Sequence, residues 1–129
     1  MKYEITKEFS FDAAHQLEGK EIYGKCSNVH GHTYKLFITV GSEFLINGMV
    51  INFVELKSLV SDILEDLDHH FLNDVNWLTR PTTCENMVKD IYEEMGRVLG
   101  SKNAKIVEVR LYETPTSCAV YRGTSIKLQ

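Results

Sequence analysis

The sequence has 129 residues, of which 43% are hydrophobic and 25% are charged, and its net charge is −4. This length and composition are typical of a folded protein with one hydrophobic core, so residues 1–129 are expected to form a single domain and a disordered chain is excluded. The acidic balance argues against a nucleic-acid partner, because such proteins carry a basic face. The longest uncharged stretch, residues 44–54, is shorter than the roughly 20 apolar residues that span a bilayer, so no membrane partner is expected.

The cysteines and the N-terminal segment bear on where the protein works. The N-terminal sequence MKYEITKEFSF lacks the apolar core of a signal peptide. Three cysteines at irregular spacings, Cys26, Cys84 and Cys118, cannot form a complete set of disulfides. A cytoplasmic protein with at least one free thiol is therefore expected.

Two segments near the N-terminus alternate between apolar and polar residues and therefore predict strands. The first covers residues 3–15 and the second covers residues 32–40, with His30 extending the same register by two. Residues 16–28 between them have no periodicity and predict a surface loop. Because alternate residues of a strand share a face, His30 and His32 are expected on one side of the second strand.

The rest of the chain predicts two helices and three more strands. An Asn-Gly turn leads into a short strand at residues 49–51. Apolar residues at helical spacing predict helices over residues 53–68 and 83–100. Strands follow at residues 105–113 and 117–126. The order β-β-β-α-α-β-β predicts the α+β class, with an antiparallel sheet and helices on one face.

Three histidines are placed where they could bind one metal ion. His15 ends the first predicted strand, and His30 and His32 share a face of the second. Zinc in catalytic sites typically takes three protein ligands and leaves a fourth position open. Three imidazoles also accept other divalent ions. Alternatively, these are ordinary histidines satisfied by hydrogen bonds, because a His-x-His pair alone is a weak motif.

Other residues could carry chemistry near such a site. Cys26 is either a further zinc ligand in a structural site or a free base beside a catalytic metal, and its spacing fits both. Asp68 could hold the imidazole of His69 for proton transfer, although such pairs also cap loops and His70 offers a second ring. Glu113 shares the face of three aliphatic residues at a strand end, so it would pair with a cation, accept hydrogen bonds from a ligand or extend into solvent.

Several short motifs occur in one order along nearly the whole chain: F-x-A-A-H ending at His15, C-S-N-V-H-G-H at residues 26–32, G-M-V-I-N-F at 48–53, L-D-H at 67–69, T-C-E-N at 83–86 and Y-E-T at 112–114. Together they resemble the 6-pyruvoyltetrahydropterin synthase and 6-carboxytetrahydropterin synthase family. The resemblance implies the tunnelling fold (T-fold), a four-stranded antiparallel sheet with two helices on one face. It also implies a homohexamer, built as a dimer of trimers, with sites at subunit interfaces.

The resemblance further implies a Zn²⁺ cofactor, a pterin triphosphate substrate and a role for each matching residue. The implied metal ligands are His15, His30 and His32. The implied catalytic residues are Cys26 as base and Asp68 with His69 as a proton-transfer pair. The implied substrate-binding residues are Glu113 for the pterin, Thr83 and Glu85, although Thr83 and Glu85 could equally begin the second helix as its cap and first turn.

Spacing within the family indicates one branch. The spacing C-x3-H-G-H from Cys26 resembles the carboxy-forming enzymes of 7-deazaguanine (queuosine) biosynthesis, whereas the pyruvoyl-forming enzymes resemble C-x5-H-G-H. The implied reaction is a zinc-dependent lyase reaction that converts 7,8-dihydroneopterin triphosphate to 6-carboxy-5,6,7,8-tetrahydropterin with release of acetaldehyde and triphosphate. The alternatives are a 6-pyruvoyltetrahydropterin synthase, which cleaves no carbon-carbon bond, and a non-enzymatic pterin-binding module in which Cys26 closes a structural zinc site.

Overall fold

A computed structural model describes residues 1–123 of the chain. Its α-helices and strands, in chain order, are β1 (Tyr3–His15), α1 (Lys20–Tyr23), β2 (His30–Ser42), α2 (Phe53–Glu65), α3 (Cys84–Leu99), β3 (Lys105–Thr114) and β4 (Ser117–Tyr121). The strands form one antiparallel sheet in the order β1-β2-β3-β4. This confirms the α+β class and the four-stranded antiparallel sheet.

The predicted short strand at residues 49–51 is wrong. The segment forms only an isolated bridge, in which Ile46 and Met49 exchange backbone hydrogen bonds of 3.0 Å. Asn47 and Gly48 adopt φ angles of 53° and 76° and close a tight turn between them. Because α2 begins at Phe53, too little chain remains for a paired strand.

Other boundaries also shift. Helix α2 ends at Glu65 rather than near residue 68, and the predicted loop at 16–28 contains the single turn α1. Four residues are too few to show a helical period, which is why the sequence did not reveal α1. Strand β4 is described to Tyr121, and residues 124–126 of the predicted strand lie outside the described residues. No helix in the described part of the chain has the length and apolarity needed to cross a membrane.

The sheet buries one face beneath α2 and α3. Alternate residues of β2, from Tyr34 through Leu36 and Ile38 to Val40, are fully buried, and they share one core with residues of both helices such as Leu56 and Ile91. On β1 the buried alternate residues end at His15. The helix-facing side of the sheet therefore changes at one end from aliphatic and aromatic side chains to imidazoles.

Candidate metal centre and active site

Three imidazoles meet at that end of the sheet. His15 pairs in register with His30 across β1 and β2, and Ala13 pairs with His32. The ring centroids of His30 lie 4.5 Å from His15 and 4.9 Å from His32. One ring nitrogen of each histidine lies within 4.8 Å of the others. The strand alternation that predicted a shared face therefore produces a convergent cluster.

Backbone carbonyls orient two of the rings. The Nδ1 of His15 donates to the carbonyl of Thr82 at 2.9 Å, and the Nδ1 of His30 donates to the carbonyl of Asn28 at 2.7 Å. A carbonyl only accepts, so the proton of each neutral ring is on Nδ1 and the Nε2 lone pair is available to a metal. Burial lowers the pKa of His15 and of His32, which favours the neutral, ligating form of both.

Two of the remaining ring nitrogens fit a metal ion. The Nε2 atoms of His15 and His32 are buried and have no hydrogen-bond partner among the described residues. Buried polar atoms in native proteins are nearly always paired. A divalent metal bound by three imidazoles explains both unpaired atoms. The alternative of ordinary hydrogen-bonded histidines explains the Nδ1 contacts but leaves these two nitrogens unaccounted for.

Glu113 lies beside this cluster rather than extending into solvent. Its Oε1 is 3.6 Å from Nε2 of His32 and 3.8 Å from Nε2 of His15, and its side chain is 32% exposed. Glu113 also lines a cleft of about 600 Å³ together with Lys35, Phe37, Tyr112 and neighbouring residues. This volume suits a small organic ligand. The cleft therefore joins a carboxylate, aromatic walls and the edge of the histidine cluster.

Asp68 and His69 form a second cluster. The Nδ1 of His69 lies 3.0 Å from Oδ1 of Asp68, and this carboxylate also accepts from the backbone N–H of Asp12 at 2.9 Å. The latter hydrogen bond is the main reason that the pKa of Asp68 lies below its usual value. His70 instead donates from Nδ1 to the carbonyl of Asp68 at 2.8 Å. Of the two adjacent rings, His69 is thus the one paired with the carboxylate.

The two clusters are separate within one chain. Asp12, which lies within 4.8 Å of Asp68 and His69 through its carboxylate, alternates along β1 with His15 and so points to the other face of the sheet. A groove of about 570 Å³ is lined by residues of both clusters, among them His32, Asp12 and His69.

Neither Cys26 nor Glu85 belongs to the histidine group, and Thr83 directly follows Thr82, whose carbonyl holds the ring of His15. The Cys26 side chain is exposed, and its thiol is not part of the group formed by the three imidazoles. Thr83 caps α3, where its Oγ1 accepts from the backbone N–H of Asn86 at 3.3 Å. Glu85 is exposed in the first turn of that helix. The capping geometry predicted for this helix is confirmed.

Comparison with known proteins agrees with this geometry. The family described as "6-pyruvoyl tetrahydropterin synthase" matches residues 4–124. The chain belongs to this family. A structure of 6-pyruvoyl tetrahydropterin synthase from Caenorhabditis elegans has a TM-score of 0.84 and 29% identity, and the similarity covers 95% of this chain and 96% of that one. The tunnelling fold is thus confirmed.

Relatives in this family carry two different names. The chain is 37% identical to a 6-carboxy-5,6,7,8-tetrahydropterin synthase of Haemophilus influenzae, over 93% of this chain and 99% of that protein. It is also 37% identical to a 6-pyruvoyl tetrahydrobiopterin synthase of Poecilia reticulata, over 92% of this chain and 89% of that protein. These two relatives are equally similar to this chain, so this pair alone does not decide between the two names.

The sequence predicts no role in the site for two buried polar side chains, those of Thr82 and Tyr34. Thr82 is fully buried and holds the ring of His15. Tyr34 is fully buried, its hydroxyl has no hydrogen-bond partner within residues 1–123, and its ring stacks on Phe11 at 4.8 Å and lies edge-on to His32. The alternation of β2 indicates that Tyr34 is buried but not that it adjoins the histidines. No sequence signal marks Thr82, which acts mainly through its backbone.

Proposed function

We propose that this member of the family is a zinc-dependent lyase that converts 7,8-dihydroneopterin triphosphate to 6-carboxy-5,6,7,8-tetrahydropterin, acetaldehyde and triphosphate. The observation that carries the proposal is that the buried Nε2 atoms of His15 and His32, beside a third imidazole, have no hydrogen-bond partner in the part of the chain that the structure describes. His15, His30 and His32 would hold the zinc ion. When bound, the ion supplies a Lewis acid for the oxygens of the substrate side chain.

Glu113 would bind the pterin ring. Its carboxylate is half-buried at the wall of the cleft and matches the paired N–H donors of an aminopyrimidine edge in a bidentate arrangement. Phe37 and Tyr112, whose ring centroids are 5.8 Å apart, line the same cleft and offer flat apolar surfaces to an aromatic ligand. Thr83 and Glu85 would also bind the substrate. The Oγ1 of Thr83 accepts a hydrogen bond as the helix cap, so its hydroxyl proton could be donated to the substrate.

Cys26 and the Asp68–His69 pair would move protons. The carboxylate of Asp68 accepts a hydrogen bond from Nδ1 of His69. The Nε2 atom of His69 is then the atom that would give or take a proton. The exposed Cys26 would act as the base at the carbon beside the ring. Cys84 is unsuited to this role, because burial raises the pKa of its thiol to about 12.

Because Asp68 and His69 form a cluster of their own, we infer that a complete site combines residues of two subunits. The assembly we propose is a cytoplasmic homohexamer, a dimer of trimers. In this arrangement the pair on one subunit serves the metal centre of its neighbour.

The carboxy product is favoured over the pyruvoyl product by the spacing of Cys26 and His30, which matches the carboxy-forming branch. The test is to incubate zinc-loaded protein with 7,8-dihydroneopterin triphosphate, identify the pterin by mass spectrometry and trap acetaldehyde in parallel. We expect the 6-carboxy product with acetaldehyde. A pyruvoyl product without acetaldehyde would assign the chain to the other branch.

The remaining alternative is a non-enzymatic module in which Cys26 closes a structural zinc site. Against it, the thiol lies outside the histidine group and is exposed. The variant Cys26→Ala should lose turnover while it keeps zinc and its thermal midpoint. Loss of zinc together with folding would favour the structural site, and Cys118→Ser, which also alters an exposed thiol, is the matched control.

A further inference from the structure

The segment that follows α2 runs along the last residues of β1. The backbone N–H of His69 donates to the carbonyl of Asp12 at 2.6 Å, and the N–H of Ala14 donates to the carbonyl of His70 at 3.1 Å. Ala14 and Phe71 form a parallel bridge. The outer edge of β1 near its metal-binding end is thus covered by the segment that carries His69.

Asn73 completes this attachment through its side chain. Its Oδ1 accepts from the backbone N–H of Gln16 at 3.0 Å, and its Nδ2 donates to the carbonyl of Gln16 at 2.8 Å. The amide therefore occupies the position that a neighbouring strand would take, and it fixes the residue directly after His15. Satisfying both backbone groups of one residue restrains its backbone more than a single hydrogen bond does.

Asn73 also reaches His15 by a second route. The hydroxyl of Thr82 donates to Oδ1 of Asn73 at 3.4 Å. Thr82 is fully buried, and its carbonyl and Oγ1 lie 2.9 Å and 3.3 Å from Nδ1 of His15. The same amide oxygen thus restrains both the backbone next to His15 and the residue that sets the tautomer of its ring.

We propose that Asn73 is a positioning residue that fixes His15 for metal binding. It does so by locking the end of β1 and Thr82 into one hydrogen-bonded unit with the segment that carries Asp68 and His69. The inference rests on the proposed metal centre. Partners that orient a metal-ligating histidine commonly change metal affinity when they are removed, even though they never touch the ion.

The test is zinc binding by Asn73→Ala, measured with zinc alone in competition with a chromophoric chelator. Removal of the amide is expected to weaken zinc binding by about 10- to 100-fold, the range typical of such orienting partners. Thr82→Val, which keeps the backbone carbonyl and the side-chain shape, should weaken binding less. Thr82→Ser keeps the hydroxyl that Thr82→Val removes, and it should bind zinc as the wild type does. The absorption spectrum of bound Co²⁺ should shift in Asn73→Ala and not in Thr82→Ser.

Asn103→Ala is the matched control, because Asn103 also donates its amide to a backbone carbonyl, that of Phe44, in an exposed loop. The thermal midpoints of the metal-free variants separate loss of fold from loss of metal. Zinc binding by Asn73→Ala and Thr82→Val that equals that of the wild type and Asn103→Ala would overturn the inference. If the wild type itself binds no zinc, the proposed function fails instead. If Asn73→Ala does not fold, the difference in zinc binding between Thr82→Val and Thr82→Ser decides whether the inference holds.

Discussion

At the scale of single residues, Glu113 has two candidate partners, because its carboxylate lies within 4 Å of the Nε2 atoms of His15 and His32 and also lines the cleft beside Phe37 and Tyr112. We expect Glu113→Gln to raise KM and leave the zinc content unchanged, since it removes an ionised acceptor from the pterin edge. Loss of a charged hydrogen bond costs about 1.5–3 kcal/mol, or roughly 10- to 150-fold in kcat/KM. Zinc loss without a change in KM would instead make Glu113 a metal ligand.

Asp68 gives the molecule a predictable acid dependence. The N–H of Asp12, the contact with His69 and the nearby His70 hold the pKa of Asp68 below its usual value, although its burial opposes this. The ionised carboxylate therefore stabilises the fold above an ordinary aspartate pKa of about 3.9, and this contribution is lost as the pH falls through the lowered pKa.

The variant Asp68→Asn tests this dependence. The difference in the free energy of unfolding between wild type and variant, measured in urea, should shrink as the pH falls from about 5 through the lowered pKa of Asp68. A difference that stays the same down to pH 2 would mean that the carboxylate acts by shape and not by charge.

The sequence could reveal some residues of the site and not others for a physical reason. Side chains at i and i+2 of a strand share a face whatever the fold, so His30 and His32 were predictable together. The contacts of Thr82 and Asn28 to the histidines depend on backbone carbonyls, which every residue has. The place of Glu113 beside His32 depends on the register of β2 with β3, which shifts between Thr39 and Val40.

At the scale of secondary-structure elements, Thr83 is both the N-cap of α3 and a proposed substrate contact. Thr83→Ala should lower the free energy of unfolding by about 0.5–2 kcal/mol, because an N-cap hydrogen bond is lost. It should also raise KM. Asn52→Ala is the matched control, since Asn52 caps α2 with a hydrogen bond of 2.8 Å from Val54: it should lower stability to a similar extent and leave KM unchanged. An unchanged KM in both variants would mean that Thr83 only caps the helix and does not contact the substrate.

Elements with long, regular patterns were predictable, and those set by tertiary contacts were not. Strand β1 has the predicted bounds because its alternation extends to His15. Strand β2 continues past the predicted end to Ser42 because Gly41 and Ser42 pair with Glu4 and Tyr3. This pairing is a property of two strands together, and neither segment alone contains it.

At the scale of the whole molecule, β1 and β4 are the edge strands of the described sheet. The segment around His69–Phe71 covers β1 near residues 12–14, whereas β1 has no strand neighbour along its outer edge before that point within the described part of the chain. Open strand edges pair readily with another chain. Exposed apolar side chains add surface for contact at the other end of β1, including Tyr3, Leu45, Met49 and Phe53.

Mixing two inactive variants tests whether a site is shared between subunits. Cys26→Ala and His69→Ala should each be inactive, and each should form a particle about six times the 14.8 kDa mass of one chain. If Cys26 of one subunit works with His69 of its neighbour, random reassembly of equal amounts restores both residues at roughly a quarter of the sites in a symmetric oligomer.

The expected result is therefore an activity near one quarter of wild type after the variants are dissociated and reassembled together, and none when each is treated alone. If the groove between His32 and His69 of one chain formed the complete site, every subunit of the mixture would still lack one residue, and no activity would return. Because Asp68 and His69 form a cluster separate from that of His15, His30 and His32, we expect the shared arrangement.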